Sequence, residues 1–121
     1  DNVITNVAGL GVRLTTDGTG ELTVRVNDNT ITGSDFNAIG FLAEGDSELV
    51  AQVHDNTMTG NQAGATFEAI AGENAVMCLD IEGNTNEGGY RFDRGDATAT
   101  LNVEQFNILE DINESGTVEV S

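Results

Sequence analysis

Proline, tryptophan and lysine do not occur in this chain of 121 residues, and cysteine, histidine and tyrosine occur once each. In their place stand fifteen glycines and many Asn, Asp and Thr residues. This composition favours frequent tight turns joined by short strands, and it leaves hardly any stretch suited to a long helix. We therefore predict an all-β fold, and an apolar content of 38% is enough for a modest core.

Basic residues are also scarce, since four arginines face 21 acidic residues and the formal net charge is −17. Such a surface repels nucleic-acid backbones and anionic membranes, so neither is expected as a partner. No apolar run approaches the roughly 20 residues that span a bilayer, which argues against membrane insertion. The single cysteine, Cys78, cannot form a disulfide within the chain, so we expect it to be structural or to contact another chain.

Asparagine recurs at a nearly constant interval within the stretches "DNVITN", "VNDNTITG" and "VHDNTMTG". The separations are 27, 27 and 28 residues, and the positions are Asn2, Asn29, Asn56 and Asn84. A repeat of this length indicates a solenoid in which every repeat forms one coil. Stacked asparagines can pass amide hydrogen bonds from coil to coil, so we predict a structural ladder at these positions.

Each repeat carries three apolar stretches, around "NTITG", "AIGFLAE" and "ELVAQV", separated by Gly, Asp and Asn turns. The sequence therefore predicts a parallel β-helix of about four coils with three short strands per coil. The coils are expected at about 1–27, 28–54, 55–82 and 83–106, followed by an irregular segment, 107–121, that serves as a cap or an extending strand. The predicted core residues recur at the same step and are Ile4, Ile31, Met58, Leu22, Val24, Val26, Leu49, Ala51, Val53, Met77, Leu79 and Ile81.

The middle strand breaks this regularity in the third coil. Phe67 and Ala69 stand on the opposite parity to Ile39 and Phe41 if Glu68 points outward. The sequence thus predicts a β-bulge near Glu68.

"DNTITG" and "DNTMTG" at this interval resemble the repeats of right-handed parallel β-helix proteins, the pectate-lyase-like architecture, over residues 1 to about 106. "MCLDIEGNTNEGGYRF" and "FNILEDINESGTVEV" are similar to the closing coil of repetitive bacterial surface and secreted β-helix proteins. The resemblance implies a right-handed coil and an extracellular or cell-surface location.

The same resemblance implies one catalytic alternative. β-Helix polysaccharide lyases use one outer face as a sugar-binding groove, where a basic residue removes a proton and calcium neutralises the substrate. Arg25 is the basic residue best placed for this role, since it projects outward and its column continues as Gln52 and Asp80. A solvated or ion-paired arginine is the structural alternative, and His54 is expected to be a turn residue.

Acidic residues also recur at the repeat interval and form columns. The clearest column consists of Asp1, Asp28 and Asp55. Two like charges stacked about 4.8 Å apart repel by about 1 kcal/mol even in water. A calcium ion bound by these carboxylates would offset the repulsion. Diffuse counterions, or aspartate side chains that cap turn amides, are the alternatives, and no cofactor is required by the fold.

A minor alternative comes from threonine, because Thr30 and Thr32 stack over Thr57 and Thr59, with Thr5 continuing the column. Outward Thr-x-Thr pairs on stacked strands resemble the ice-binding face of certain antifreeze β-solenoids. Exposed threonine is also ordinary on strands.

The first repeat element begins at residue 1 with no capping segment, so the end of the first coil is expected to dock on another molecule or on a preceding segment that is absent from this sequence. We therefore expect a structural or adhesive extracellular module that self-associates end to end into a fibre, with a carbohydrate or cell-surface partner. No reaction is required for this role, and an enzyme is not expected.

Overall fold

In a computed structural model, the described part of the chain comprises residues 1–62, 65–104 and 109, together with the backbone of the strands at 112–115 and 119–120. Three parallel sheets run along the molecule, and strands are numbered in chain order. Sheet A contains β1 (Val3–Thr5), β4 (Thr30–Thr32), β7 (Thr57–Thr59) and β10 (Thr85–Asn86). Sheet B contains β2 (Val12–Thr16), β5 (Ile39–Ala43), β8 (Phe67–Ala71), β11 (Tyr90–Arg94) and β13 (Ile112–Ser115). Sheet C contains β3 (Glu21–Asn27), β6 (Glu48–His54), β9 (Val76–Glu82), β12 (Thr100–Glu104) and β14 (Glu119–Val120).

Every coil contributes one strand to each sheet, so consecutive strands of a sheet come from consecutive coils. The predicted all-β solenoid of about four coils with three strands per coil is confirmed. No helix occurs in the described residues, and accordingly none there is long and apolar enough to cross a membrane.

The strands pair with the offsets that the repeat predicts, so apolar side chains stack on apolar side chains. In sheet A, Ile4 pairs with Ile31 and Ile31 with Met58. In sheet C, Val26 pairs with Val53 and Val53 with Ile81. These columns fill the space between the three sheets, where most of the predicted core residues lie in one cluster.

Burial increases from the first coil inward. The first coil's Ile4, Leu22 and Val24 are only partly buried. Their equivalents in the second and third coils are at most 2% exposed, and they are Ile31, Met58, Leu49, Met77, Ala51 and Leu79. The end of the first coil therefore leaves apolar surface uncovered.

The predicted β-bulge in the third coil is wrong. Phe67 pairs with Ile39 and Ala69 with Phe41 in a ladder that is continuous along β5 and β8, and both side chains are buried. The pairing offset rises from 27 in sheet A to 28 in sheet B, so the additional residue of the third repeat lies between Thr59 and Phe67. A surface connection accepts an insertion far more easily than a buried strand does.

The fourth coil is shorter but keeps the core continuous. Leu101 pairs with Met77 and Val103 with Leu79, and all four side chains are buried. Beyond it, β13 pairs in parallel with β11 and β14 pairs in parallel with β12. The C-terminal segment thus adds a strand to sheets B and C of the same chain.

Each coil turns its corners with residues of positive φ, a conformation that glycine, asparagine and aspartate tolerate best. The recurring aspartates occupy one such corner, with φ of 58° at Asp28 and 56° at Asp55, and Gly83 follows in the same column. A physical reason for the repeated Asp-Asn pair follows, because the aspartate takes the left-handed turn and the asparagine enters the ladder. The other positive-φ positions are Asn6, Gly33 and Gly60 at a second corner, Gly18, Gly45 and Glu73 at a third, and Gly89 before β11.

Gly45 offers a test of how closely these corners stack. Its φ is 69°, and a Cβ there would lie 2.7 Å from the main-chain nitrogen of Gly18 in the preceding coil. Since backbone strain costs about 1–3 kcal/mol and overpacking costs a similar amount, we expect Gly45→Ala to lower the free energy of unfolding by about 2–4 kcal/mol. Urea denaturation followed by circular dichroism would measure it. Gly9→Ala is the matched control, since a Cβ there meets nothing within 4 Å. Equal effects of the two changes would contradict close corner stacking.

Candidate functional site

Outward residues of sheet C form a polar patch across the first three coils. Buried and exposed residues alternate along the strands of this sheet, so every second side chain faces solvent. The register aligns these residues in two neighbouring columns. The polar patch consists of Arg25, Gln52 and Asp80 in one column and Asn27, His54 and Glu82 in the other.

Hydrogen bonds join the two columns of the polar patch. Asn27 Nδ2 donates to Gln52 Oε1 at 3.1 Å, and Gln52 Nε2 donates to Asp80 Oδ2 at 3.3 Å. The main-chain nitrogen of His54 donates to Asn27 Oδ1 at 3.1 Å. These contacts fix side chains from three successive coils relative to one another.

His54 is the last residue of β6 and points into this patch, whereas the sequence indicated a turn residue. Its Nε2 lies 2.8 Å from Asp80 Oδ2, and the two side chains are 19% and 31% exposed. Nε2 of His54 is nevertheless buried and makes no hydrogen bond. The Asp80 oxygen is close enough for one, so it must lie away from the direction in which a ring N–H would point. His54 stands two positions after Gln52, which faces outward. Because alternate residues of a strand share a face, the sequence could have placed His54 in the patch.

Arg25 is exposed on the outer face of the first coil, and its column continues through Gln52 and Asp80. It makes no ion pair with any residue in the described part of the chain. No second arginine joins it, because Arg13, Arg91 and Arg94 all lie on sheet B. The proposed lyase chemistry thus has one candidate base and no companion cation nearby.

Arg91 is engaged in a surface ion-pair network. Its Nη1 lies 2.6 Å from Glu68 Oε2 and its Nη2 lies 2.9 Å from Asp93 Oδ2. The hydrogen bond to Glu68 is the main reason that the pKa of Arg91 is raised above its ordinary value. The guanidinium therefore stays charged and holds two coils together at the surface.

The aspartate column that we predicted to bind calcium is exposed at Asp1, Asp28 and Asp55. Among the described residues, its carboxylates do not belong to a group of three ligand atoms within 4.8 Å of one another. The ligand atoms of His54, Asp80 and Glu82 do form such a group. The structure thus brings together two residues of one column, His54 and Glu82, and one residue of the neighbouring column, Asp80.

The asparagine ladder runs through the four coils. The main-chain N and Nδ2 of Asn2 donate to Asn29 Oδ1 at 3.0 and 2.9 Å, and Asn29 donates to Asn56 Oδ1 at 3.0 Å from both nitrogens. Asn56 donates in the same way to Asn84 Oδ1 at 2.9 Å. In each of these asparagine–asparagine pairs, the donor belongs to the earlier coil and the acceptor to the next coil, so the ladder has a direction.

Sheet A carries two outward threonine columns. Thr5, Thr32 and Thr59 pair in one column. Thr30, Thr57 and Thr85 pair in the other, which begins at Val3. Thr85 was not predicted, although it follows Asn84 and aligns with Thr57 at the same step of 28 residues.

Sheet B carries a shallow groove of about 280 Å³ on its outer face. Phe36, which is 58% exposed, and Leu10 line it beside Arg13 and Glu68. Gly40 lies beneath, and a Cβ there would overlap Leu10 Cδ2. Apolar and charged groups thus meet in a surface concavity.

Cys78 lies half-buried on the outer face of sheet C, where it pairs with Val50 and Asn102. It forms no disulfide, in keeping with its being the only cysteine of the chain.

Comparison of the chain with known protein families, with curated proteins and with solved structures gives no match.

Proposed function

We propose that this chain is a structural β-solenoid module that assembles end to end, with the first coil of one copy stacking on the last strands of another. The observation that carries this proposal is the incomplete burial of core side chains in the first coil. Ile4, Leu22 and Val24 of this coil are only partly buried, whereas their equivalents in the second and third coils are at most 2% exposed. A further coil would bury this apolar surface as the inner coils bury theirs.

The main chain of the open end supports the same proposal. At the two ends of β3, the Gly20 carbonyl accepts from the N–H of Glu48 and the N–H of Asp28 donates to the His54 carbonyl, and both partners belong to β6. The main-chain N–H and C=O groups alternate in direction along a strand, so those of the even-numbered residues between Gly20 and Asp28 point toward β6. Those of odd-numbered residues such as Thr23 point away from it. β1 and β2 likewise pair on one side only. Such edges are templates for another strand.

The direction of the ladder makes the two ends different. Asn2 Oδ1 accepts no hydrogen bond from a described residue, whereas its equivalents accept two each from the preceding coil. A coil stacked above it would supply those donors. Contacts between two different ends are heterologous, and if they do not close into a ring they give an open filament.

Thr23→Pro tests the proposal directly. Proline removes an N–H that has no partner within the fold, and its ring is tolerated on an edge strand. We expect the wild-type chain to form concentration-dependent assemblies in sedimentation velocity and filaments by electron microscopy. Thr23→Pro should remain a folded monomer, with filament mass reduced at least tenfold.

Thr23→Val is the matched control, since it keeps the N–H and the β-branched shape and should assemble like the wild type. A wild-type chain that stays monomeric at all concentrations would overturn the proposal. If that monomer released unsaturated sugars from a polyuronate, and Arg25→Ala abolished the release, the lyase alternative would replace it.

The threonine columns of sheet A support ice binding as a second candidate. Their outward hydroxyls form a regular array, with neighbours about 4.8 Å apart across strands and about 6.7 Å apart along them. Thermal hysteresis in freezing solutions, lost in Thr32→Leu, would favour this function. Absence of hysteresis in the wild type would reject it.

The proposal includes an extracellular or cell-surface location and a carbohydrate or cell-surface partner. The sheet B groove supports the partner, since an exposed aromatic beside charged groups suits a sugar ring. Oligosaccharide binding that is lost in Phe36→Ala would support this part, and unchanged binding would reject it.

A further inference from the structure

We propose that His54, Asp80 and Glu82 form a binding site for a first-row divalent metal ion of the zinc class, held between the second and third coils. The site is separate from the exposed aspartate column and from the open end of the first coil. Its existence does not depend on whether coils of different copies stack.

The sheet itself brings the three ligands together. His54 and Glu82 pair directly across β6 and β9, and Asp80 lies two residues before Glu82 on the same outward face. One ligand atom from each lies within 4.8 Å of the other two. Ligands carried by paired strands are held more rigidly than ligands on loops, so little ordering is needed when an ion binds.

The ring nitrogen gives an independent indication of a ligand. Nε2 of His54 is shut off from solvent and has no hydrogen-bond partner among the described residues. The nearby oxygen of Asp80 is 2.8 Å away, but outside hydrogen-bond geometry. A buried polar atom without a partner carries a free-energy cost. A metal ion between this nitrogen and the carboxylates would complete its coordination.

The distances suit such an ion after a small adjustment. Ligands bound tetrahedrally at about 2.0–2.2 Å from zinc lie about 3.4 Å from each other. The His54–Asp80 contact therefore opens by about 0.6 Å, and the Glu82 carboxylate closes inward. Glu82 is exposed, so its side chain has room to move and water can fill the fourth position.

The donor set selects the class of ion. One imidazole nitrogen with two carboxylate oxygens suits zinc and its neighbours, whereas calcium prefers six to eight oxygen ligands. Two carboxylates beside a neutral imidazole carry a charge that a divalent cation balances. Glu104, exposed and paired with Asp80, adds a further negative charge beside the site.

Surrounding polar groups hold one of the ligands in place. Gln52 Nε2 donates to Asp80 Oδ2, and Asn27 in turn donates to Gln52. Such outer contacts orient metal ligands and typically change affinity by about 10–100-fold when removed. Both hydrogen bonds donate toward the carboxylate that contacts His54.

The test uses the fact that His54 is the only histidine of the chain. Its imidazole Hε1 proton therefore gives a single proton NMR signal that needs no assignment. We expect Zn²⁺, added to metal-free protein in a large excess of Ca²⁺, to shift this signal until one equivalent is bound. A shift that does not saturate, or that Ca²⁺ abolishes, would overturn the proposal.

Variants locate the site. Isothermal titration calorimetry with Zn²⁺ should show affinity lowered at least tenfold in Glu82→Gln and in His54→Gln. Glu48→Gln is the matched control, because it removes an exposed carboxylate at the opposite end of β6 and should leave the affinity unchanged. Far-UV circular dichroism would verify that all variants keep the fold, and Glu82 is exposed enough for its variant to do so. Equal losses in Glu82→Gln and Glu48→Gln would indicate diffuse binding and contradict the site.

Discussion

Phe67→Ala is expected to lower the free energy of unfolding by about 3–5 kcal/mol, the range for a fully buried phenylalanine. The side chain is 0% exposed and lies at the centre of the aromatic cluster. Its ring centroid is 5.5 Å from that of Phe41 in the second coil, at an angle of 78° between the ring planes. It is also 5.5 Å from Tyr90 and 5.9 Å from Phe92 in the fourth coil. Alanine would leave a cavity bordered by three coils.

Urea denaturation followed by circular dichroism would measure this change. Phe36→Ala provides the control, since Phe36 is 58% exposed and its removal should change stability by no more than about 0.5 kcal/mol. Similar effects of the two substitutions would mean that the aromatic cluster does not hold the coils together.

Asn56→Ala is expected to destabilise the fold by a comparable amount. Asn56 is 1% exposed, and its Oδ1 accepts from both nitrogens of Asn29. Its Nδ2 donates to the carbonyls of Val26 and His54 at 2.6 and 3.0 Å. Truncation leaves several of these buried groups without partners, and each costs about 1–3 kcal/mol. We expect a total loss of about 3–5 kcal/mol, measured as the shift of the urea unfolding curve.

Asn2→Ala is the control in the same column. Asn2 lies at the exposed end of the ladder, where water can replace the lost hydrogen bonds, so the expected cost is about 1 kcal/mol or less. Equal costs at the two positions would show that burial of the ladder contributes nothing to its effect on stability.

The sequence predicts the coils well because the repeat fixes both register and face. The column Leu22, Leu49 and Met77 follows from a step of 27 and then 28 residues, and the strands pair at that step. A shift of one residue would turn every core side chain of a strand outward. This constraint leaves few alternative pairing registers for the strands.

The middle strand of the third coil escaped prediction for a physical reason. One additional residue in the third repeat could be accommodated before or inside that strand. The repeat does not distinguish between these two positions for the additional residue. The stacking of Phe67 on Ile39 in the core requires the additional residue to precede the strand. Packing of side chains from different coils therefore decides what local counting leaves open.

The candidate metal site was missed for a related reason. His54 and Asp80 belong to different columns and meet diagonally across two strands. Such contacts depend on side-chain rotamers as well as on register, and a repeat pattern contains only the register. The positive φ of Asp28 was likewise invisible, although it explains why aspartate recurs there.

Diffraction from aligned assemblies of the wild-type chain tests the central claim most directly. Coils that continue from one copy to the next would place their strands perpendicular to the filament axis and give a meridional reflection at about 4.8 Å. Filaments without that reflection, or with it on the equator, would contradict axial stacking of coils.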